Sequence, residues 1–292
     1  MSSGVIFTYT NQLRFSKLLR RYKRFLADVE WSERSTGSLE ETVYVPNTGS
    51  MLNLVEPYNT VPQCLCSVAA GKSNRKYVHT LEMIQSPNQG SWVGVHSALA
   101  NKMVENALMQ GLIPECQDFV ALKREVEVKS SEVPISKIDF ELSWGDKTML
   151  LEVKSVTLRL HGSSSAVFPD SVSTRGQKHL QCLTEHVKKQ GPGAAGVLFL
   201  IQRDDVSEFS GCDLDPQYVR LLHEACAAGV AILPYRCSLN PNAGTVTLLD
   251  RLPFVDTYVE NGQSTTTKAP TKKRKAAADI EEGQSTKRSG KT

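Results

Sequence analysis

The sequence predicts an α/β chain (α+β overall) in two folded parts, a small β-barrel and then an α/β sandwich, followed by an unstructured tail. Three observations carry that reading. Residues from about 14 to 95 hold short β-rich stretches separated by Pro, Gly and Asn, the rhythm of a small barrel. From Ser97 onward, helix, strand, hairpin, helix and strand patterns follow one another, as in a sheet covered by helices. After about residue 258 large apolar residues almost vanish and Thr, Ser, Lys, Gly and Ala take over, a composition that cannot offset its own ordering entropy. The divisions read as an N-terminal extension 1–13, a barrel 14–96, a sandwich 97–257 and a tail 258–292.

Within the barrel, Leu19–Val29 reads as one strand, with Arg20, Tyr22 and Arg24 on one face and Arg21 and Lys23 on the other. Thr42–Val45 and Ser91–Val95 are further strands, and Pro46-Asn47-Thr48-Gly49 is a turn to which each residue is suited. Ser97–Gln110 places Leu99, Met103, Ala107 and Leu108 at helical spacing, with Ser97 as N-cap and Gly111 as stop. Strand signals at Glu125–Val128 precede a hairpin over 138–158. A helix follows from about Ser173 to Gln190, closed by Gly191-Pro192. Gly196–Gln202 is a continuous apolar run typical of a central strand. Pro216–Ala228 is a helix with Pro in its first turn and Gly229 at its end. Val230–Tyr235 and Thr245–Leu249 are the last strands.

Composition narrows the function classes. The 292 residues have room for two modest domains, and 40% hydrophobic with 22% charged content is that of an ordinary soluble protein. A net charge of +3 means that any anion-binding surface comes from local clustering. Seven Cys without CxxC pairs read as reduced thiols of an intracellular protein and argue against structural zinc. His96, His161, His186 and His223 have no ligand spacing and read as structural or surface residues. No apolar run reaches the length of a membrane span. The acid-free, basic start resembles a presequence, but it continues into Tyr22–Val29, so cleavage would remove a strand.

The chemistry concentrates in residues 138–155. Ile138, Phe140, Leu142 and Trp144 alternate with polar residues, and Gly145-Asp146 suits a two-residue turn. With Trp144 and Lys147 flanking that turn, the register sets Asp139 opposite Glu152 and brings Lys154 to the same side. Met149-Leu150-Leu151 and Val153 mark the second strand as buried, where two carboxylates and an ammonium are costly without a cation and a phosphate. Mg2+ (or Mn2+) takes carboxylate oxygens, water and substrate phosphate. Asp139 and Glu152 supply the carboxylates, the carbonyl of Val153 a third oxygen, and Lys154 orients water or offsets phosphate charge. This Asp…Glu-x-Lys arrangement resembles the PD-(D/E)xK nuclease superfamily.

A second cluster, Arg175, Gly176, Gln177, Lys178 and His179, opens the helix after the hairpin. Arg175 and Lys178 share a face, and cations at a helix start oppose its dipole unless a phosphate is bound there. In the barrel, Arg20, Arg21, Tyr22, Lys23 and Arg24, with Arg75, Lys76, Tyr77 and His79, form basic-aromatic clusters suited to nucleic acid. The other reading of the aromatics is core packing.

Arg21–Val29, Pro46–Gly49, Arg75–Thr80, Ser136–Phe140, Glu152–Leu158, Phe168–Asp170 and Arg175–Leu180 are collinear with the sugar fermentation stimulation protein (SfsA) family. The resemblance runs from about residue 14 to 252. It implies an OB-like barrel, a PD-(D/E)xK-like second domain, DNA binding with Arg20–Arg24, Arg75, Lys76, Tyr77, Arg175, Gln177 and Lys178 as contacts, and a regulatory association. Aligned on Asn101, the chain has Asn106 where relatives usually have Glu; Glu105 points elsewhere and Glu125 is a substitute acid. The function expected is thus a DNA-binding protein with a metal-dependent, nuclease-type site. The alternatives are a non-catalytic DNA-binding regulator and, less directly, a protein–protein adaptor. The tail carries Lys272, Lys273, Arg274 and Lys275, with Lys287-Arg288 beyond, which reads as a nuclear localisation signal for an import receptor.

Overall fold

The computed structural model describes residues 4–32, 39–55, 61–69, 76–86, 90–129, 135–160, 162–255, 259–260 and 263–264. The first strand, β1 (Val5–Thr8), lies outside the barrel. The barrel strands are β2 (Leu13–Tyr22), β3 (Leu26–Trp31), β4 (Glu40–Tyr44), β5 (Gln63–Val68), β6 (His79–Gln85) and the short β7 (Trp92–Gly94). They pair in the order β4-β3-β2-β5-β6-β7, and a parallel bridge from Tyr44 to Thr80 joins β4 to β6 and closes five of them into an OB-like barrel. Alternation decides what fills it: Ser16 and Leu18 of β2 and Ala27, Val29 and Trp31 of β3 are buried, while Lys17 and Leu19 face out.

The single strand expected over Leu19–Val29 is two strands. Lys23 (φ 46°) and Arg24 (φ 63°) take left-handed backbone conformations, and Phe25 N–H donates to Lys23 O at 2.7 Å. This is a γ-turn with positive φ at its centre. Arg24 therefore does not share a strand face with Arg20 and Tyr22.

The chain next forms a 3-10 turn at Ser97–Leu99, then α1 (Ala100–Met109), β8 (Ala121–Val128), β9 (Ser136–Trp144), β10 (Lys147–Val156), β11 (Ser165–Phe168) and α2 (Thr174–Gln190). After these come β12 (Ala195–Ile201), β13 (Glu208–Gly211), α3 (Pro216–Ala228), β14 (Ala231–Asn240) and β15 (Thr245–Arg251). Ser97 does not cap α1; its hydroxyl donates to Pro46 O at 3.0 Å and so ties the helix start to the barrel. Ser173 does cap α2, accepting from Gly176 N–H at 3.1 Å. Asp215 caps α3 through Tyr218 N–H at 3.0 Å.

Seven strands form one mixed sheet in the order β1-β15-β14-β12-β10-β9-β8, with β10, β12 and β14 parallel. The N-terminal strand thus completes an edge of this sheet. One face packs on α1 through Met149, Leu151, Val153, Leu198 and Leu200. The other packs on α2 and α3 through Leu150, Val197, Phe199 and Ile201 against Leu180, Leu183 and Leu222. Every residue of β12 is buried, as its continuous apolar run requires. Beyond residue 255, β16 (Val259–Glu260) and β17 (Gln263–Ser264) pair antiparallel. Lys272–Lys275 lie outside the described residues.

Hydrogen bonds join barrel and sandwich directly. Gly94 N–H donates to Gln202 O at 2.9 Å, Ser50 Oγ to Asp170 O at 2.7 Å and Asn53 Nδ2 to Arg159 O at 2.9 Å. Arg203, 2% exposed, is held by both oxygens of Asp205 at 2.6 and 2.7 Å and reaches Ser86 of the barrel side at 3.5 Å.

Candidate functional site

The site starts from the register of β9 on β10. Lys147 faces Trp144, and the ladder continues to Leu151 opposite Phe140; the next step, at Asp139 and Glu152, is not a backbone pair. At that step a side chain replaces the backbone rung, because Asp139 Oδ2 accepts from Val153 N–H at 2.8 Å. In a strand, the N–H and C=O of one residue point the same way, so the Val153 carbonyl opens on the side of Asp139. Asn101 of α1 donates to Asp139 Oδ1 at 2.7 Å, which leaves both carboxylate oxygens engaged and oriented.

Glu152 projects toward α2 and is 3% exposed. One of its oxygens carries all the bonding: Lys154 Nζ and His179 Nδ1 each lie 2.5 Å from Oε1. Oε2 is buried and has no protein partner. Burial would push this carboxyl up, but the Lys154 charge and the His179 bond outweigh it and hold it at about 2. Asp139 goes the other way, raised above its usual value by burial and by the Glu152 charge despite the Val153 and Asn101 bonds. Two carboxylates, one bare oxygen and one acid held ionised at a cost are an electrostatic deficit suited to a hard divalent cation. Among the described residues no group of three or more His, Cys, Asp or Glu is arranged to hold a metal. The oxygens that converge here are those of Asp139 and Glu152 and the Val153 carbonyl.

These groups line a cleft of about 410 Å3 whose other wall is the barrel. Arg24, Asn47, Thr48 and Gly49 face Asp139, Glu152, Lys154, Asp170 and Arg175 across it. The Pro46–Gly49 segment is more than a turn. Asn47 Oδ1 accepts from Gly49 N–H at 2.8 Å and its amide donates to Val95 O at 2.8 Å. A Cβ on Gly49 would fall 2.6 Å from Asp170 Oδ1 and nearer still to Oδ2, so the close approach of the two walls requires glycine. Asp170 also accepts from Met51 N–H at 3.2 Å.

The cleft brings together Asp139, Glu152, Val153, Lys154, Arg24 and Arg175. Lys178 lines an adjoining depression of about 310 Å3 with Lys137, Thr174 and Arg175. Other expected contacts fall elsewhere. Gln177 turns away from the cleft, its amide donating to both oxygens of Asp215 at 2.8 and 3.0 Å. Arg21 is engaged as a brace within the barrel, donating to Ser50 O at 2.7 Å, Asn47 O at 2.9 Å and Arg24 O at 2.7 Å. Its half-buried guanidinium is lowered from its ordinary value by desolvation. Arg20 pairs with Asp28 at 2.7 Å and lies over Tyr22, whose hydroxyl donates to Asp28 at 2.9 Å; none of the three lines the cleft. Lys23 and Lys76 are exposed, and Lys76 sits 5.5 Å over the Tyr77 ring. Arg75 lies outside the described residues.

The acid question on α1 also changes. Asn106 faces away from the cleft and donates to Ile6 O of β1 at 2.8 Å. Glu105 shares a helix face with Asn101 but is bound by Arg124 and Lys102. Glu125 is exposed at φ 50° and does not line the cleft. Asn101, His179, Asp170 and Gly49 stand in or against the cleft, although the sequence reading gave none of them a part in the chemistry of Asp139 and Glu152. Only His179 carried a signal, one helical turn beyond Arg175.

Two family models match the chain: the SfsA N-terminal OB domain over residues 19–95 and the sugar fermentation stimulation protein RE domain over residues 98–243. A sugar fermentation stimulation protein homolog of Shewanella baltica is 41% identical over 235 residues, covering 80% of this chain and 94% of its own. One from Syntrophotalea carbinolica is 42% identical over 236 residues, covering 80% and 93%. Among solved structures, that of Pyrococcus furiosus SfsA in complex with Ca2+ superposes with a TM-score of 0.71 at 25% identity, over 86% of this chain and 98% of that one. The expected OB-like barrel followed by an α/β sandwich is the architecture observed. The nuclear address expected of Lys272, Lys273, Arg274 and Lys275 is overturned: the Shewanella and Syntrophotalea relatives are bacterial proteins, and bacteria have no nucleus for an import receptor to serve.

Proposed function

The chain belongs to the sugar fermentation stimulation protein family, and from that premise we propose that it binds DNA in the cleft between barrel and sandwich and hydrolyses a phosphodiester bond there. The observation that carries the proposal is the bare, buried Oε2 of Glu152 beside the raised Asp139 carboxyl. Asp139, Glu152 and the Val153 carbonyl would hold Mg2+ or Mn2+; the Pyrococcus furiosus relative was solved with Ca2+, a cation of the same oxygen-seeking class. A divalent cation held there supplies Lewis-acid polarisation of a phosphodiester oxygen and acidification of a nearby water.

The protein's own side chains do the rest. Asn101 and Val153 N–H fix the Asp139 carboxylate, and His179 fixes that of Glu152. Lys154 has three donors and spends one on Glu152, leaving two to orient an attacking water or meet the phosphate. Arg24 from the barrel and Arg175 from α2 flank the space and offset phosphate charge. One observation favours a non-catalytic DNA-binding protein instead: α1 offers Asn101, not an acid, to Asp139. Incubating the protein with DNA in Mg2+, Mn2+ or chelator separates the two. Metal-dependent cleavage supports hydrolysis, whereas DNA binding with no cleavage in any metal leaves only the binding role.

A further inference from the structure

We infer that the turn between β2 and β3 is a landing for an unpaired DNA base at the mouth of the cleft. Phe25 and Tyr44 form the stacking surface, and Arg24 the adjoining phosphate contact. The inference rests on reading the cleft as a DNA site. It starts from backbone strain. Lys23 and Arg24 both sit at positive φ, 46° and 63°, where neither side chain is at ease, and the γ-turn they form is the rare, strained kind. Such conformations persist only where the surroundings over-determine them. Arg21 does so here, bonding Arg24 O twice, at 3.1 and 2.7 Å, and anchoring the same guanidinium on Asn47 O and Ser50 O.

The strain has a visible product. It turns the Phe25 ring out of the barrel, 37% exposed, beside a Tyr44 ring that is 39% exposed. The two rings stack with centroids 6.5 Å apart and 28° between planes. The Arg24 guanidinium lies 5.6 Å over the Phe25 ring, is held by Thr48 O at 3.1 Å and lines the cleft. Packing does not require two open rings in register there. Residues 21–25 contain three cations and no acid, so the surface complements a polyanion. Flat rings beside cations accept bases of any sequence by stacking. A base inside a duplex is already stacked on its neighbours and would first have to be unstacked. The occupant that fits without that cost is an unpaired base at an overhang, continuous with the strand whose phosphate enters the cleft.

The test uses the full chain in chelator, so that nothing is cleaved. Its probes are a blunt duplex and the same duplex with a DNA overhang carrying 2-aminopurine at its first unpaired position. The overhang is expected to bind about tenfold more tightly than the blunt end, with quenched 2-aminopurine emission. Phe25→Leu and Tyr44→Leu keep apolar bulk at exposed positions but remove the flat face. Each should erase most of that preference and the quenching, with blunt-end affinity unchanged, and Phe25→Trp should retain both. Equal binding of blunt and overhanging DNA, undiminished quenching in the leucine variants, or the same Phe25 dependence for an RNA overhang only would each overturn the inference. Blunt-end binding that persists under any of these results leaves the cleft reading intact, whereas no binding to either DNA removes that reading as well.

Discussion

Replacing Asp139 by Asn separates a cation ligand from a structural acid. The Asp139 carboxyl is raised above its ordinary 3.8 by burial and the Glu152 charge. A carboxyl raised in the folded state contributes stability below its unfolded value and loses it as pH rises through the folded one. At neutral pH the ionised group is therefore a liability that a cation would cancel. Glu152 has the opposite sign. Lowered from 4.5 to about 2, it contributes about 3 kcal/mol above pH 4.5, lost as pH falls through about 2. In Asp139→Asn the amide oxygen can still accept from Val153 N–H, and Asn101 can turn its own oxygen toward the introduced NH2. The metal-free variant should then unfold within about 1 kcal/mol of wild type, since weaker neutral hydrogen bonds offset the relieved charge. A cation at a hundred times its Kd adds about 2.7 kcal/mol to wild type, or about 5–10 °C in Tm for a chain of this size. In the variant that shift should fall below about 2 °C. Thermal unfolding in chelator against Ca2+ or Mg2+ reads both numbers. Repeating it at lower pH should shrink the wild-type shift, because protons compete for Asp139. A variant that keeps the full cation shift, or that loses more than about 3 kcal/mol without metal, refutes the ligand role.

Lys154→Ala should lower cleavage by about 10²- to 10³-fold while keeping the cation-induced Tm shift; rates within a few-fold of wild type would mean that Lys154 does not touch the reaction. Gly49→Ala drives a methyl against Asp170 and should cost about 1–3 kcal/mol, read as a lower unfolding midpoint. An unchanged midpoint would show that the barrel wall yields freely. Arg21→Ala removes bonds to three backbone carbonyls and should act mainly on stability, costing about 2–3 kcal/mol, and on the salt dependence of DNA binding only through the turn that it braces. Lys23→Ala should do the reverse, lowering the salt slope by about 1 at constant Tm. Exchange of these two phenotypes would contradict the assignment of Arg21 as brace and Lys23 as surface charge.

Much of the site was legible because it is local. The register from Lys147 opposite Trp144 to Leu151 opposite Phe140, which carries the chain to the edge of the site, follows from a two-residue turn and period-two alternation, and neither depends on the rest of the chain. The α2 and α3 boundaries follow from Ser173, Gly191, Pro216 and Gly229, whose capping chemistry is equally local. What escaped depends on tertiary contact. Gln177 reads as a phosphate contact until Asp215, 38 residues on, takes its amide. Asn106 reads as a missing acid until β1 comes to lie beside α1. Gly49 reads as a turn residue because its constraint, the Asp170 carboxylate, lies across the cleft. The break at Lys23-Arg24 had no sequence signal at all, since left-handed turns are normally marked by Gly, Asn or Asp.

The docking of barrel on sandwich sets what can vary independently in this protein. Ser50, Asn53 and Gly94 donate to the backbone carbonyls of Asp170, Arg159 and Gln202, and the cleft takes Arg24 and Gly49 from one side and Asp139 and Glu152 from the other. A half transplanted onto another scaffold would carry one wall of the cleft, however well it folded. Substitutions on the two walls are consequently tied to each other: Gly49 limits what can stand at position 170, and Asp170 limits what can stand at position 49. The two walls vary as one unit, and changes to the cleft should appear as matched pairs across it.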